Sequence, residues 1–374
     1  LKRAGEATLP LHDGHAPSWL VKRMKLLSKE IVKLIVLEDG TVGFIRKISD
    51  PLWFQAFGCL LGYDWHSSGL TTVVTGVLRE ALSIDEHGLA VVGGKGRLSR
   101  NIVEQIDELS SKLNFSTSRI EGLKYASKMC AKVDNTAVQD GYQLYHHAMI
   151  IDEKGKWCVV QQGMDIGSRS ARRYHWLSEN LRSFVDEPHK AVISEIKKDK
   201  VLNMTAREAE ENRKACVDLV KSSPANVVST INKALAGIQS MDYWLYPSKL
   251  KYDKSLVSFS MPWRTNWQVL RQLYDIQPRN YEELLYVRGV GPSTVRALAL
   301  AAELIYGAKV SWRDPVKFSF AHGGKDGIPF PVKRRVMDET IRKLKEVVEA
   351  VEVEREEKVK SLKRLSMLAK KWGL

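Results

Sequence analysis

The chain has little cysteine, no long apolar run, no internal repeat and no nucleotide-binding loop. Its 374 residues include 4 cysteines, Cys59, Cys130, Cys158 and Cys216. They are scattered and form no CxxC pair, which excludes a disulfide framework or a zinc ribbon and suits a reducing cytoplasm. No apolar stretch approaches the roughly 20 residues of a membrane span, and no signal-peptide pattern opens the sequence, so no membrane partner is expected. Gly93-Gly94-Lys95-Gly96 follows a strand-like Val91-Val92 but lacks the spacing of a P-loop. Nucleotide hydrolysis is therefore rejected and no nucleotide cofactor is expected, although Lys95 remains a candidate phosphate contact. Acidic residues are also in deficit. The 44 Asp and Glu against 58 Lys and Arg leave a formal charge of +14, which points to a polyanionic partner, with nucleic acid ahead of a membrane surface.

At 44% hydrophobic residues the chain can bury a sizeable core, and its length suggests two or three domains. The expected fold is an α+β N-terminal domain with a small mixed or antiparallel sheet and flanking helices, followed by a helical C-terminal region. The divisions read as 1–200 for the α/β candidate catalytic domain, 201–278 for a helical connection, 279–310 for a helix-hairpin-helix, 311–337 for a Gly-rich loop and 338–374 for a long amphipathic helix. Within the first unit, Leu34–Ile48 reads as strand, Asp39-Gly40 turn and strand. A capped helix starts at Ser49-Asp50-Pro51. The terminal helix is expected to pack on its own protein or to offer a homodimer face.

Two stretches carry the candidate chemistry. In Leu284–Leu298, LLYVRGVGPSTVRAL, Gly289 and Gly291 permit a tight turn and Pro292 suits a first helical position. The free amides that follow, with Ser293 and Thr294 between Arg288 and Arg296, are placed to hold phosphate oxygens without reading bases. The second stretch is a hairpin, Gln139–Asp165, with His146 and His147 on one strand and Gln161 and Gln162 on the next. Adjacent residues on a strand point to opposite faces, so each face receives one His and, opposite it, one Gln. Asp134 and Asp140 lead into that hairpin, beside Lys132 and Gln139. Asp64 and His66, two apart in a polar loop, read as an acid/base pair or metal ligands. Arg172 and Arg173, beside Tyr174-His175-Trp176, suit phosphate and unpaired bases. Each of these residues also has an ordinary structural reading, as a cap, a satisfied core network or a solvated face.

The hairpin is similar to the phospholipase D motif, but Met149 stands where that motif has its lysine and only one copy is present, so that superfamily is not adopted. A broader resemblance runs through LPLHDGHAP, DPLWFQAFGCLLGYDWHSSG, GGKGRLSR, AKVDNTAVQDGYQLYHH, VVQQGMD, ARRYHW, NYEELLYVRGVGPSTVRALALAAELIYG and SFAHGGKDGIPFPV. These resemble domain-of-unknown-function family 763 of archaea and thermophilic bacteria, over most of 1–337. The chain departs from that pattern at His15, in place of Lys, and at Asp165, in place of Asn. The resemblance implies a DNA-associated protein with a C-terminal helix-hairpin-helix and suspected nuclease activity.

The first expectation is a cytoplasmic, nucleoid-associated DNA phosphodiesterase acting on single-stranded or branched DNA in repair or recombination. His147 or His146 would be nucleophile, base or metal ligand. Asp64, His66, Asp134 and Asp140 would complete an acid/base or Mg²⁺/Mn²⁺ shell, with Gln161 and Gln162 beside the histidines. Lys95 and Arg172 would neutralise phosphate. The alternatives are a non-catalytic DNA-binding module of a repair complex and an RNA-processing factor.

Overall fold

The computed structural model describes residues 16, 18–63, 67–113, 115–229, 266–316 and 318–319, together with 342–343, 345–347, 349–350, 359 and 363 near the C-terminus. The strands are β1 (Leu89–Lys95), β2 (Val138–Gln139), β3 (Gln143–Asp152), β4 (Trp157–Asp165), β5 (Ser170–Leu177), β6 (Ala191–Ser194), β7 (Leu202–Asn203) and β8 (Phe318–Ser319). Six of them form one sheet in the order β1-β3-β4-β5-β6-β8, antiparallel except where β8 joins β6 in parallel, and β2 pairs separately with β7. The architecture is α+β, as its composition of elements suggested.

Helices cover both faces of the large sheet, and two apolar clusters show how. One face packs Ile150, Cys158, Val160, Ala171 and Ile193 against helices α1 (Ser18–Ser49), α2 (Pro51–Leu60) and α3 (Gly69–Ala81). The other packs Met149, Val159, Tyr174, Trp176 and Val192 under α6 (Ile102–Leu113), α7 (Thr117–Lys132) and a helical group formed by α8 (Glu210–Lys221), α9 (Trp267–Ile276), α10 (Tyr281–Tyr286) and α11 (Pro292–Tyr306). Short helices α4 (Ile84–His87) and α5 (Arg97–Arg100) flank β1. Burial on both sides explains why β3 and β4 read as nearly unbroken apolar runs instead of alternating. Packing is continuous through residue 200, because β7 pairs β2 and the same cluster holds Met149 and Leu298.

The segment expected as strand, turn and strand over Leu34–Ile48 is instead helical. Met24, Leu27, Ile31 and Ile35 before residue 40, and Phe44 or Ile45 with Ile48 after it, hold three-four spacing, and all are buried. Those apolar faces outweigh the β-branched composition. The Asp39-Gly40 signal survives as a break, with Gly40 at φ 72° and ψ 174° between two helical stretches. Near the C-terminus the described positions 342–343, 345–347 and 349–350 are helical, and Val347 is buried in the cluster under α1–α3. The rest of that helix and the Gly-rich stretch after Ser319 lie outside the described residues. Among the described residues no helix is long and apolar enough to cross a membrane.

Candidate functional site

The hairpin registers His147 with Gln161 and His146 with Gln162, one pair on each face of the sheet. The two faces differ in how far their polar atoms are satisfied.

Beneath α7, Ser127 Oγ lies 3.0 Å from His147 Nε2, and His147 Nδ1 lies 2.7 Å from Gln161 Oε1. Gln161 Nε2 donates to Asp134 Oδ2 at 2.5 Å. That bond fixes the amide orientation and makes His147 Nδ1 the donor, leaving Nε2 to accept from Ser127. Trp176 Nε1 (2.9 Å) and His189 Nε2 (2.5 Å) also donate to Asp134. Asp134 sits in a π-helical turn, Val133–Ala137, that ends α7 and turns its carboxylate onto the sheet. Every member is buried, and burial lowers the His147 pKa, opposed by its bond to Gln161. Both His147 nitrogens and both Asp134 oxygens are therefore engaged.

Beneath α2 and α3 the counterpart is an open network. Lys95, His146, Gln162 and Arg173 are successive Cα partners across β1, β3, β4 and β5, so they form one row on one face. A register shift between Leu144 and His146 brings Tyr145 to the same row, where its hydroxyl accepts from Gln162 Nε2. Gln162 also donates to Ser68 O at 2.9 Å and accepts from Thr71 Oγ1. Thr75 Oγ1 donates to Thr71 O at 2.8 Å, so at 3.0 Å it accepts from His146 Nε2. His146 Nδ1 then carries the lone pair and has no hydrogen-bond partner among the described residues. Burial, helped by His147 and Lys95, pulls the His146 pKa down to about 3, so the ring is neutral. Arg173 donates to Gln55 Oε1 (2.7 Å) and Thr71 Oγ1 (3.3 Å) and stacks on Phe54.

Arg172, its neighbour on β5, faces the α7 side, where Asp140 (2.9 Å) and Asp314 (3.0 and 2.8 Å) bind it in full burial. Tyr174 OH donates to Asp140 at 2.6 Å. Burial opposes the Arg172 cation, but Asp140, Tyr174 and Asp314 outweigh it and raise its pKa. Burial raises that of Asp140, with Arg172 opposing. Asp140 and Arg172 thus engage each other, and neither contacts Lys95 or the histidines in any hydrogen bond between described residues.

The turn between α10 and α11 sits at the edge of this core. Asn280 caps α10 by accepting from Glu283 N at 2.9 Å, and Pro292 starts α11. Gly289 has φ 92°, and a Cβ there would lie 2.8 Å from Val269 Cγ2. Val290 is buried, whereas Arg288 and Ser293 are exposed and Thr294 is half-buried. Lys132 and Gln139 dock the turn: Lys132 Nζ donates to Val290 O, and Gln139 Nε2 donates to Pro292 O at 2.8 Å. Arg296 Nε donates to Gln139 Oε1 at 2.9 Å.

Asp64 and His66 lie outside the described residues. Among those described, no group of three or more His, Cys, Asp or Glu is placed to hold a metal ion. Sequence reasoning missed Ser127, His189, Gln55, Thr71, Thr75 and Asp314, and the role of Trp176 as a donor to Asp134. Two signals existed: Gln55 is the lone polar side chain in PLWFQAFGCL, and Thr71 and Thr75 share one helical face. His189 and Asp314 have no local signal at all.

The fold is that of an α+β protein whose central sheet carries a closed polar network on one face and an open one on the other. The chain belongs to the family described as protein of unknown function (DUF763), whose model matches residues 5–332. No curated protein matches it, and no solved structure does.

Proposed function

We propose that this protein binds DNA along its phosphate backbone, tolerating any sequence, and cleaves phosphodiesters in single-stranded or branched DNA. The observation that carries the binding is the docked pair of helices α10 and α11 with the turn between them, residues 281–306, which we read as a helix-hairpin-helix. Its turn is held from behind by Lys132 and Gln139, so the exposed Arg288 and Ser293 and the start of α11 face outward. Unbonded amides at such a helix start, with a flanking Arg, suit a phosphate oxygen. Net charge of +14 supports the same class of partner.

The cleavage reading is supported by the row under α3. His146, not His147, has a bare ring nitrogen, and Lys95 and Arg173 supply charge on the same face. His146 is therefore assigned as general base and His147 as a member of the closed network that holds β3 against α7. A divalent metal at Asp64 and His66 belongs to the same proposal.

The test is incubation of labelled single-stranded, flap and duplex DNA with the full chain in Mg²⁺, Mn²⁺ or EDTA, with an RNA competitor. Cleavage that falls about 100-fold or more in His146→Ala, with DNA affinity unchanged, is expected. Tight salt-dependent binding with no cleavage under any metal would reduce the protein to a non-catalytic DNA-binding module. Preferential displacement by RNA would favour the RNA-processing reading.

A further inference from the structure

Arg172 and Arg173 are both fully buried, yet two carboxylates meet the first and none meets the second among the described residues. Among the described residues Arg173 has neutral partners, Gln55, Thr71 and the Phe54 ring, and its Nε, like that of Arg172, has no hydrogen bond. Burial pulls its guanidinium down to about 9, opposed by Cys59. Packing alone does not account for such a residue, because a buried cation is stable only when its charge is met.

Three further observations converge on the same place. His146 Nδ1 is a buried acceptor with no hydrogen bond among the described residues. Lys95 lies in the same row at the outer strand β1 and is exposed, so the row runs from solvent to core. α3 begins over this row with no acidic residue in its first turn and no cap from the Ser68 side chain; Gly69 N–H bonds Ser67 Oγ at 3.1 Å and Leu70 N–H bonds Ser67 O, and the positive end of a 13-residue helix lies there.

We propose that this row is a binding site for a phosphate monoester, with Arg173 and Lys95 taking its anionic oxygens and His146 Nδ1 accepting the hydroxyl of its monoprotonated form. A monoester suits a row that is exposed at Lys95 and buried at Arg173, because the strand that carries it continues as chain in one direction only. In combination with the DNA reading above, on which this step rests, the ligand is the phosphorylated end of a strand. The second phosphate ionisation lies near pH 6, so the monoprotonated form is present at neutral pH.

The experiment uses the full chain. Melting temperature is followed in sodium phosphate against sodium chloride of matched ionic strength, for the wild type, Arg173→Met and Lys95→Ala. Oligonucleotides with a 5′-phosphate, a 3′-phosphate or hydroxyl ends are then compared. A phosphate-specific rise of roughly 3 °C or more is expected in the wild type, with loss of that rise in both variants. A phosphorylated end should bind about tenfold or more tightly than a hydroxyl end, and the variants should abolish the difference. Lys95 is exposed, so Lys95→Ala reads the site even where Arg173→Met unfolds the protein.

A phosphate effect without end preference supports the site and makes free phosphate its ligand. No phosphate-specific rise, or an equal rise in both variants, overturns the site. A failure of hydroxyl-ended DNA to bind refutes the hairpin reading alone and leaves the phosphate result standing.

Discussion

Arg172 and Arg173 are adjacent on one strand and live in opposite electrostatic worlds. The strand's alternation sends Arg172 to Asp140 and Asp314 and Arg173 to Gln55 and Thr71. Replacing each by Met should separate them in urea denaturation. Arg172→Met strands two buried carboxylates and is expected to cost about 3–5 kcal/mol. Arg173→Met removes a buried charge that meets no carboxylate among the described residues and is expected to cost at least about 2 kcal/mol less. The histidines make a pH prediction. Folded His146 has its pKa depressed by burial to about 3, and burial depresses those of His147 and His175 as well. The unfolded chain therefore binds more protons than the folded one below pH 6.5 or so, and stability rises with pH there. The contribution is fully present above about pH 6.5 and is lost as pH falls toward the folded values. Between its folded and unfolded values His146 adds a slope of up to about 1.4 kcal/mol per pH unit. His146→Asn should flatten the stability-pH curve by one such slope, as measured by denaturant titration between pH 4 and 7.

Among the elements, the hairpin β3–β4 and the turn between α10 and α11 depend on each other through two residues that precede the hairpin. Lys132 ends α7 and Gln139 ends β2, and both hold the turn by its carbonyls. Gln139→Ala removes the bond to Pro292 O and the acceptor for Arg296. Hydrogen exchange should then quicken over 287–296 while β3 and β4 keep their protection. Gly289→Ala combines a φ of 92° with a 2.8 Å contact to Val269 and should destabilise by about 1–3 kcal/mol. DNA affinity is expected to fall with it, a result read by fluorescence anisotropy.

Over the whole molecule, two helical layers close a sheet that presents different chemistry to each. The α7 side is a finished network in which Asp134 gathers three donors. Among the described residues the α3 side leaves Arg173 without a carboxylate and His146 Nδ1 without a hydrogen bond. A net charge of +14 acts over longer distances and should make binding strongly salt-dependent. For single-stranded DNA the logarithm of the affinity should fall linearly with that of salt, and Arg288→Gln should lower the slope by about 0.7. An unchanged slope would remove Arg288 from the phosphate contacts.

Much of this was legible in the residues themselves. The apolar runs of Gln139–Asp165 set the hairpin, and strand alternation alone divides its two His/Gln pairs between the faces. The glycines and Pro292 likewise marked the turn before α11. Leu34–Ile48 was misread because β-branched residues and an Asp-Gly pair are local signals, whereas its apolar face is completed only by the sheet it covers. Which face holds the open site was decided by tertiary structure alone. Gln161, Trp176 and His189 come from three separate segments to satisfy Asp134, and Asp314 reaches Arg172 from 142 residues away. No such partner reaches Arg173 among the described residues. Sequence determines which groups alternate along a strand, but the charge each meets is supplied by distant chain, and only folding brings it there.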